Sequence, residues 1–445
     1  MGEDLEGRRA DTIVALSSGG LPAGVAVLRL SGPAAGAVAA ALAGPLPAPR
    51  VAALRSLRDA GGAPIDRGLV LWFPAPGSFT GEDVAEFQVH GGLAVVAALL
   101  AAVTAGGRAR LAEPGEFTRR AFDNGRLDLT AVEGLADLIA ARTEAQRRAA
   151  LRQVDGGLNR LAQGWRDRLV RAAAQLEAAI DFAEEDLPPD LERQARESLA
   201  SLQAGIAAVL ADGRGGELAR DGVHVALVGP PNVGKSSLLN RLARREVAIV
   251  SEFAGTTRDV VEVTLDLGGY PAVIADTAGL RASVDPVEAA GVARAEARRQ
   301  AADLPIYVAD ARDLDVVAFE GPAAMILVNK IDLATLPVPD AIGGVPVYPV
   351  SALTGEGIDR WIAALSARVA ALAGVQGDAG LITRSRHRTE LARASDALAR
   401  AAGAPTLDLM AEDVRLALHA LARLTGAIDV EDLLDVVFSE FCIGK

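Results

Sequence analysis

The chain has 445 residues, enough for roughly three domains of ordinary size, and 50% of them are apolar. Arg, Asp and Glu interrupt every long apolar stretch, so the sequence contains no uncharged apolar run of about 18 residues that could cross a bilayer. The net charge of -13 disfavours non-specific binding to nucleic acid or to an anionic membrane. Because the acidic N-terminus also lacks the pattern of a signal peptide, we expect a cytoplasmic protein without membrane contact.

Residues 1–125 predict an α/β domain. Apolar runs at 25–30, 68–73 and 84–89 alternate with Gly- and Pro-containing turns, and an Ala/Leu-rich segment near 93–105 predicts a helix. From about 126 to 212 the pattern becomes helical. An apolar stripe at three- and four-residue spacing indicates packing against partner helices. The stripe consists of Leu158, Leu161, Trp165, Leu169, Ala172, Leu176 and Ile180.

Residues 213–216 are glycine-rich and predict a linker. Strands and helices then alternate from 223 to about 372, which is typical of a doubly wound, mostly parallel sheet. Helical periodicity returns with Val414, Leu418, Leu421 and Leu424, is ended by Gly426, and a last helix is predicted near 429. We expect the two helical segments to form one domain into which the α/β domain is inserted, with two separate bundles as the alternative.

A phosphate-binding loop follows the predicted strand 223–228. The segment 229–236 reads GPPNVGKS, a G-x-x-x-x-G-K-S motif between a strand and a helix. Backbone N–H groups and the helix N-terminus are expected to surround phosphates, with Lys235 at the β and γ phosphates and Ser236 on Mg²⁺. The nucleotide-binding residues predicted here are Asn232, Val233, Gly234, Lys235, Ser236 and Ser237.

Two further motifs identify the nucleotide as GTP. A DTAG turn, formed by Asp276, Thr277, Ala278 and Gly279, follows an apolar strand and is expected near the metal and the γ-phosphate. An NKID motif places Asn329, Lys330 and Asp332 after another strand. The Asp332 carboxylate suits the N1–H and N2–H₂ donors of guanine, and the Lys330 stem can stack on the ring. Ser351, Ala352 and Leu353 are predicted to close over the base.

Two residues between and after these motifs are candidates for chemistry. Thr257 is predicted as a second Mg²⁺ ligand, the alternative being an ordinary turn. Small GTPases commonly place a water-orienting Gln after the DTAG turn, whereas Leu280 stands here and cannot form a hydrogen bond. Glu288 is the candidate that would act on water instead, and a solvated residue at a helix start is the alternative.

Further characteristic runs span the chain, namely DTI at 11–13, LRLSGP at 28–33, SFTGED at 78–83, HGG at 90–92, PGEFT at 114–118, GTTRD at 255–259 and FCIGK at 441–445. With these runs, the sequence closely resembles the MnmE (TrmE) family of tRNA modification GTPases. The resemblance implies an N-terminal α/β folate-binding and dimerisation domain at 1–125. It also implies a central all-α helical domain in two parts, 126–215 and 376–445, and an inserted Ras-like doubly wound G domain at 216–375.

The resemblance also implies the activity and its partners. It implies a GTPase that uses Mg²⁺ and K⁺, forms a homodimer, and works with the flavoprotein MnmG on carbon 5 of the wobble uridine of tRNA. The group installed would be an aminomethyl or carboxymethylaminomethyl group, built from a one-carbon unit carried by 5-formyltetrahydrofolate or a related folate. A regulatory GTPase of ribosome or RNA assembly, without modification chemistry, is the alternative.

Individual family residues map onto this chain. The implied K⁺ contacts are Asn232, Ser251, Phe253 and Thr256, and the implied catalytic glutamate is Glu288. The loop that would wrap the ion and contribute to GTP binding comprises Ser251, Glu252, Phe253, Ala254, Gly255, Thr256 and Thr257. The implied folate contacts are Arg29, Glu86, Arg126 and Lys445.

Three sequence features leave alternatives open. Lys235, Lys330 and Lys445 are the chain's only lysines, so Lys445 is either a third functional lysine or a chance survivor. Cys442, the one cysteine, is a nucleophile, a redox group or a packed small residue, and the absence of a neighbouring base motif favours no catalytic role. Basic clusters at 147–148 and 384–388 are either RNA contacts or solvated helix faces.

Overall fold

The computed structural model describes residues 11–181, 191–211, 213–245, 247–249, 262–276, 302–313, 323–335, 337–374 and 380–428, and residues 434, 437, 438, 441 and 444. The chain divides into two compact units. One comprises residues 1–136 and 422–445, and the other comprises residues 137–421. These limits differ from the predicted domain boundaries at 125 and 376, which stay a prediction.

The first unit contains a six-stranded sheet in the order β3-β4-β5-β2-β1-β6. All neighbouring pairs are antiparallel except β1 and β6, which are parallel. The strands are β1 (Thr12–Leu16), β2 (Ala23–Ser31), β3 (Ala53–Arg58), β4 (Pro64–Phe73), β5 (Val84–Gly91) and β6 (Ala109–Leu111). The three strands predicted at 25–30, 68–73 and 84–89 are confirmed, each slightly longer than the apolar run that predicted it.

The strands of this sheet alternate buried and exposed side chains, and helices pack against the buried ones. Leu28, Val70 and Phe87 are fully buried and pack with Leu99 in one apolar core. The helices that begin in this unit are α1 (Ala35–Ala43), α2 (Leu93–Thr104), α3 (Glu116–Asp123) and α4 (Leu129–Ala140). The helix predicted near 93–105 is therefore confirmed.

The C-terminal segment packs into the same unit. Leu434, Val437, Phe438 and Phe441 form an apolar cluster with Leu129 and Val132 of α4. At Gly444 (φ 103°) an added Cβ would lie 2.1 Å from the carbonyl oxygen of Leu16, so no side chain fits there. The Ser17 hydroxyl donates to the Gly444 carbonyl at 2.9 Å. Gly444 thus lies against the turn that joins β1 to β2.

The second unit contains a seven-stranded sheet in the order β12-β13-β11-β10-β7-β9-β8. Its five central strands are parallel, and the edge strands β12 and β8 are antiparallel to their neighbours. The strands are β7 (Val223–Val228), β8 (Glu262–Leu267), β9 (Tyr270–Asp276), β10 (Leu304–Asp310), β11 (Met325–Asn329), β12 (Ala341–Ile342) and β13 (Val345–Pro349). The predicted doubly wound, mostly parallel sheet is confirmed.

Helices that precede this sheet in the sequence pack against a helix that follows it. Helix α7 (Leu191–Ala211) packs on α6 (Gly157–Asp181) and on α11 (Ser385–Gly403). In the predicted stripe of α6, Leu158, Trp165, Leu169, Ala172 and Leu176 are buried. The remaining helices are α5 (Glu144–Val154), α8 (Gly215–Asp221), α9 (Lys235–Leu242), α10 (Ile358–Ala373) and α12 (Leu407–Thr425). In the ranges that the structure describes, no helix is long and apolar enough to span a membrane.

The linker predicted at 213–216 is wrong. Helix α8 begins at Gly215, so half of that segment is helical. Gly216 is buried, and an added Cβ would lie 2.4 Å from the carbonyl oxygen of Ile382 and 2.7 Å from that of Gly380. The glycine is needed for this close approach of two backbones and not for flexibility.

Candidate nucleotide-binding site

The carboxyl ends of four parallel strands bring the predicted motifs to one edge of the second sheet. Leu227 of β7 pairs with Asp276 at the end of β9, and Asp310 at the end of β10 pairs with Asn329 at the end of β11. Ligands of open α/β sheets bind outside this edge. The register alone therefore places the phosphate loop, the DTAG aspartate and the NKID motif side by side.

The phosphate loop has the backbone conformation that its glycines predict. Gly229 (φ 145°) passes so close to β10 that an added Cβ would lie 2.2 Å from the carbonyl oxygen of Val308. Gly234 (φ 96°) directly precedes α9. The Lys235 ammonium donates to the carbonyls of Gly229 and Pro230 at 2.9 and 2.8 Å, so it lies within the loop. The loop N–H groups and the start of α9 supply the positive potential that phosphates need.

Ser236 and Asp276 meet beside the loop. The Ser236 hydroxyl donates to Asp276 Oδ2 at 2.6 Å, and Asp276 is buried at the end of β9. A hydroxyl and a carboxylate are hard oxygen donors of the kind that Mg²⁺ takes, usually with phosphate oxygens and water completing its shell. The donor set present therefore fits this ion at the phosphate end of the site.

Asn329 connects the phosphate loop to the loop that carries Ser351. Its amide nitrogen donates to the Val233 carbonyl at 2.8 Å, and its amide oxygen accepts from the Ala352 N–H at 2.9 Å. The residue is 1% exposed. Because both ends of one buried amide are used, the phosphate loop and the 351–355 loop are held at a fixed separation.

The residues predicted to bind guanine also come together. Ser351 is buried, and its hydroxyl donates to Asp332 Oδ1 at 2.5 Å, which orients the carboxylate. Leu353 lies in the same loop with 80% of its surface exposed. The structure thus brings all the described members of the predicted base site, from Asn329 to Leu353, to one place.

Lys330 contacts both the phosphate loop and the end of β10. Its ammonium donates to the Asn232 carbonyl at 2.6 Å and to Asp310 Oδ2 at 2.8 Å. Hydrogen bonding from Arg312, and then from Lys330, lowers the pKa of Asp310, although burial opposes this shift. Sequence reasoning missed Asp310. The available signal was an acidic residue at the end of the strand that precedes the NKID strand in the sequence.

A cavity of about 500 Å³ opens at this edge of the sheet. Its lining comprises Gly229, Pro231, Asn232, Gly234, Lys235, Ser236, Ser237, Asp276 and Lys330. That volume is in the range of small-molecule sites. Asn232 is exposed there (φ 62°), and its side-chain amide makes no hydrogen bond to any residue in the described ranges. An amide carbonyl so placed is a suitable oxygen ligand for K⁺.

Several predicted nucleotide and ion contacts lie outside the described residues. They are Ser251, Glu252, Phe253, Ala254, Gly255, Thr256, Thr257, Thr277, Ala278, Gly279 and Glu288. Their assignments stay predictions.

Three of the four predicted folate contacts lie near one loop of the first unit. Arg29 and Glu86 face each other across β2 and β5 and form an ion pair at 2.8 Å. The Arg29 guanidinium lies 5.5 Å from the centre of the Phe79 ring. The Arg126 stem packs on Gly81 in the same loop, within about 3.5 Å of where a Cβ would stand. Lys445 and Cys442 lie outside the described residues.

The basic clusters are largely held in ion pairs. Arg384 pairs with Asp137 at 2.8 Å, and Arg388 pairs with Glu217 at 3.1 Å. Glu144 accepts from Arg147 and Arg148, and these bonds, with Arg147 first, lower the pKa of Glu144 to about 2. Arg384 and Arg388 therefore take part in ion pairs within the protein, whereas Arg147 and Arg148 lie on an exposed helix face.

Two family models match the chain. The MnmE helical domain matches residues 129–442, and the GTP-binding protein TrmE N-terminus matches residues 12–126. The tRNA modification GTPase MnmE of Paramagnetospirillum magneticum is 53% identical over 442 residues, covering 98% of this chain and 100% of that protein. The proteins of the same name from Rhodospirillum rubrum and Parvibaculum lavamentivorans are 52% and 54% identical. Each aligns with 98% of this chain, and the alignments cover 99% and 100% of those proteins.

Proposed function

The chain belongs to the MnmE family of tRNA modification GTPases, and on that premise we propose that it hydrolyses GTP at the carboxyl edge of the second sheet. We propose further that hydrolysis serves the modification of carbon 5 of the wobble uridine of tRNA. The observation that carries the GTP assignment is the pair of bonds made by Asn329, together with the bond from Ser351 to Asp332. These bonds join a phosphate loop to a carboxylate suited to guanine.

The residues around the cavity have separate tasks in this reaction. Lys235 and the loop N–H groups bind the β and γ phosphates and stabilise the charge that develops as the terminal bond breaks. Asp332 accepts from guanine N1–H and N2–H₂, which adenine does not offer. The stem of Lys330 lies along the base while its ammonium stays bound to Asn232 and Asp310.

Ser236 and Thr257 would hold Mg²⁺, with Asp276 binding its water shell, and the ion would neutralise phosphate charge when bound. Asn232, with Ser251, Phe253 and Thr256, would hold K⁺. Glu288 would act on the attacking water as a base, or through a bridging water, in place of the Gln that Leu280 replaces. The exposed amide of Asn232 at the cavity supports the K⁺ assignment.

The first unit is proposed to bind 5-formyltetrahydrofolate or a related folate through Arg29, Glu86, Arg126 and Lys445. The ion pair of Arg29 and Glu86 beside an aromatic ring supports this, because a pterin ring stacks on aromatics and offers donors and acceptors. We propose that this unit also mediates homodimerisation, that the flavoprotein MnmG is the partner, and that Cys442 has no catalytic role. The boundaries 1–125, 126–215, 216–375 and 376–445 are proposed for the domains.

The first test is GTP turnover in KCl and in NaCl at equal ionic strength, for the wild type and Asn232→Ala. We expect much faster hydrolysis in KCl, and we expect the variant to lose this difference while still binding GDP. Equal rates in both salts would refute the K⁺ assignment but not the GTP site. Binding of formyltetrahydrofolate by the full-length chain, followed calorimetrically, tests the folate assignment separately.

A further inference from the structure

Arg241 connects helix α9 to the loop that closes the base site. Its Nη1 donates to the carbonyls of Ala352 and Leu353 at 3.1 and 2.8 Å, and its Nη2 donates to the carbonyl of Thr354 at 2.8 Å. Three consecutive carbonyls are thus bound by one planar group. A guanidinium suits this task because its donors have a fixed geometry and it stays charged at any pH relevant to proteins.

The loop is shaped around this guanidinium. Gly355 has φ 93°, and an added Cβ would lie 2.2 Å from Arg241 Nη2 and 2.9 Å from Cζ. A side chain at 355 and the guanidinium therefore cannot occupy their present positions together. Leu353 and Thr354 are exposed, so the carbonyl bonds to Arg241 restrain a segment that has little apolar packing of its own.

The same loop performs the base-site contacts. It donates the Ala352 N–H to Asn329 and the Ser351 hydroxyl to Asp332. Helix α9, which carries Arg241, begins directly after the phosphate loop. We propose that Arg241 is a positioning residue for the guanine nucleotide, holding the 351–355 loop closed at the base. The proposal rests on the proposed GTP function of this site.

Pre-ordering a loop lowers the entropy that nucleotide binding must overcome. Without Arg241 the loop would sample open positions, so nucleotide would leave faster and bind more weakly. Arg241 contacts the base end of the site through carbonyls at 352–354, while Lys235 and Ser236 act at the phosphate end. The chemical step should therefore be little affected, and the loss should appear in KM and not in kcat.

The experiment compares Arg241→Ala, Arg241→Lys and a control, Arg244→Ala, in the full-length protein. Arg244 is an exposed arginine three residues along, and its side chain makes no hydrogen bond to the described residues. We measure the Kd and dissociation rate of a fluorescent GDP, and KM and kcat for GTP. For Arg241→Ala we expect Kd and KM to rise about tenfold, equal to about 1.4 kcal/mol, with kcat changed less than about twofold.

Arg241→Lys should give an intermediate Kd, because an ammonium can reach fewer of the three carbonyls. Thermal midpoints without nucleotide identify any unfolded variant, and Arg241→Lys carries the test if Arg241→Ala does not fold. The inference is overturned if Arg241→Ala, or Arg241→Lys in that case, binds GDP as Arg244→Ala does, or if kcat falls while KM stays constant. A wild type that binds no guanine nucleotide would instead overturn the proposed function.

Discussion

Replacement of Asn329 by Asp tests whether its buried amide couples the two loops of the nucleotide site. The substitution keeps the shape and the acceptor for the Ala352 N–H, but it replaces the N–H donor that reaches the Val233 carbonyl at 2.8 Å. Two oxygens would then face each other at a position that is 1% exposed in the wild type. A buried carbonyl left without a donor costs about 1–3 kcal/mol.

The expected loss is in nucleotide affinity, because Asn329 joins the phosphate loop to the loop that carries Ser351 and Ala352. A cost of about 1–3 kcal/mol corresponds to a roughly 5- to 150-fold rise in Kd for GDP. The Kd of a fluorescent GDP at pH 8 measures it. Asn240→Asp is the control, because it adds the same charge at an exposed position of α9.

The defect of Asn329→Asp should also depend on pH. Burial raises the pKa of the introduced carboxyl, and the protonated form can donate its O–H to the Val233 carbonyl. The bond from the protonated carboxyl to the Val233 carbonyl is therefore fully present below the ordinary carboxyl pKa. It is lost as pH rises through the raised pKa of the variant's carboxyl. Wild-type Asn329 does not titrate. If Asn329→Asp bound GDP as tightly as Asn240→Asp at pH 8, the argument for the bridging amide would be refuted.

Three further results are expected. Asp310→Asn should speed GDP dissociation several-fold, because Lys330 loses its carboxylate partner. In the wild type, the pKa of Asp310 is lowered, so its ion pair with Lys330 persists at neutral pH and is lost only as pH falls through that lowered pKa. Arg29→Gln should abolish calorimetric folate binding while GTP turnover stays at the wild-type rate, and retained folate binding would contradict the assignment. Arg384→Ala should lower the thermal midpoint, because Asp137 loses a partner worth about 1 kcal/mol; unchanged stability with weaker tRNA binding in a filter assay would show that the cluster contacts RNA.

Local patterns predicted the parts of this protein that depend on neighbours in the sequence. The phosphate loop is recognisable because its glycines, Lys235 and Ser236 must occur at fixed spacing between a strand and a helix, and β7 has the predicted limits. The sequence also predicts that the site lies where strands end, because the strands that end at Asp276 and Asn329 are apolar runs directly before polar motifs.

Contacts between distant segments could not be predicted in this way. Arg241 reaches carbonyls more than 100 residues away, and no spacing rule connects a helix arginine to a loop so far along the chain. Asp310 binds Lys330, the residue directly after the neighbouring strand β11, and only the sheet order reveals that these strands are neighbours. Gly216 predicts part of a linker because glycine weakens helices, whereas the structure needs glycine there because the carbonyls of Gly380 and Ile382 approach so closely.

The scarcity of lysine makes the two ends of the nucleotide site spectroscopically separable. Lys235 lies in the phosphate loop, Lys330 lies in the NKID motif that is proposed to bind the base, and Lys445 is the only other lysine in the chain. Reductive methylation with ¹³C-formaldehyde would therefore label the lysine ε-amines at three positions and the α-amino group. The Lys330 side chain, at 26% exposure, should react before Lys235, which is 4% exposed. An NMR titration with GDP would then report the base and phosphate ends from separate methyl signals, with no substitution introduced.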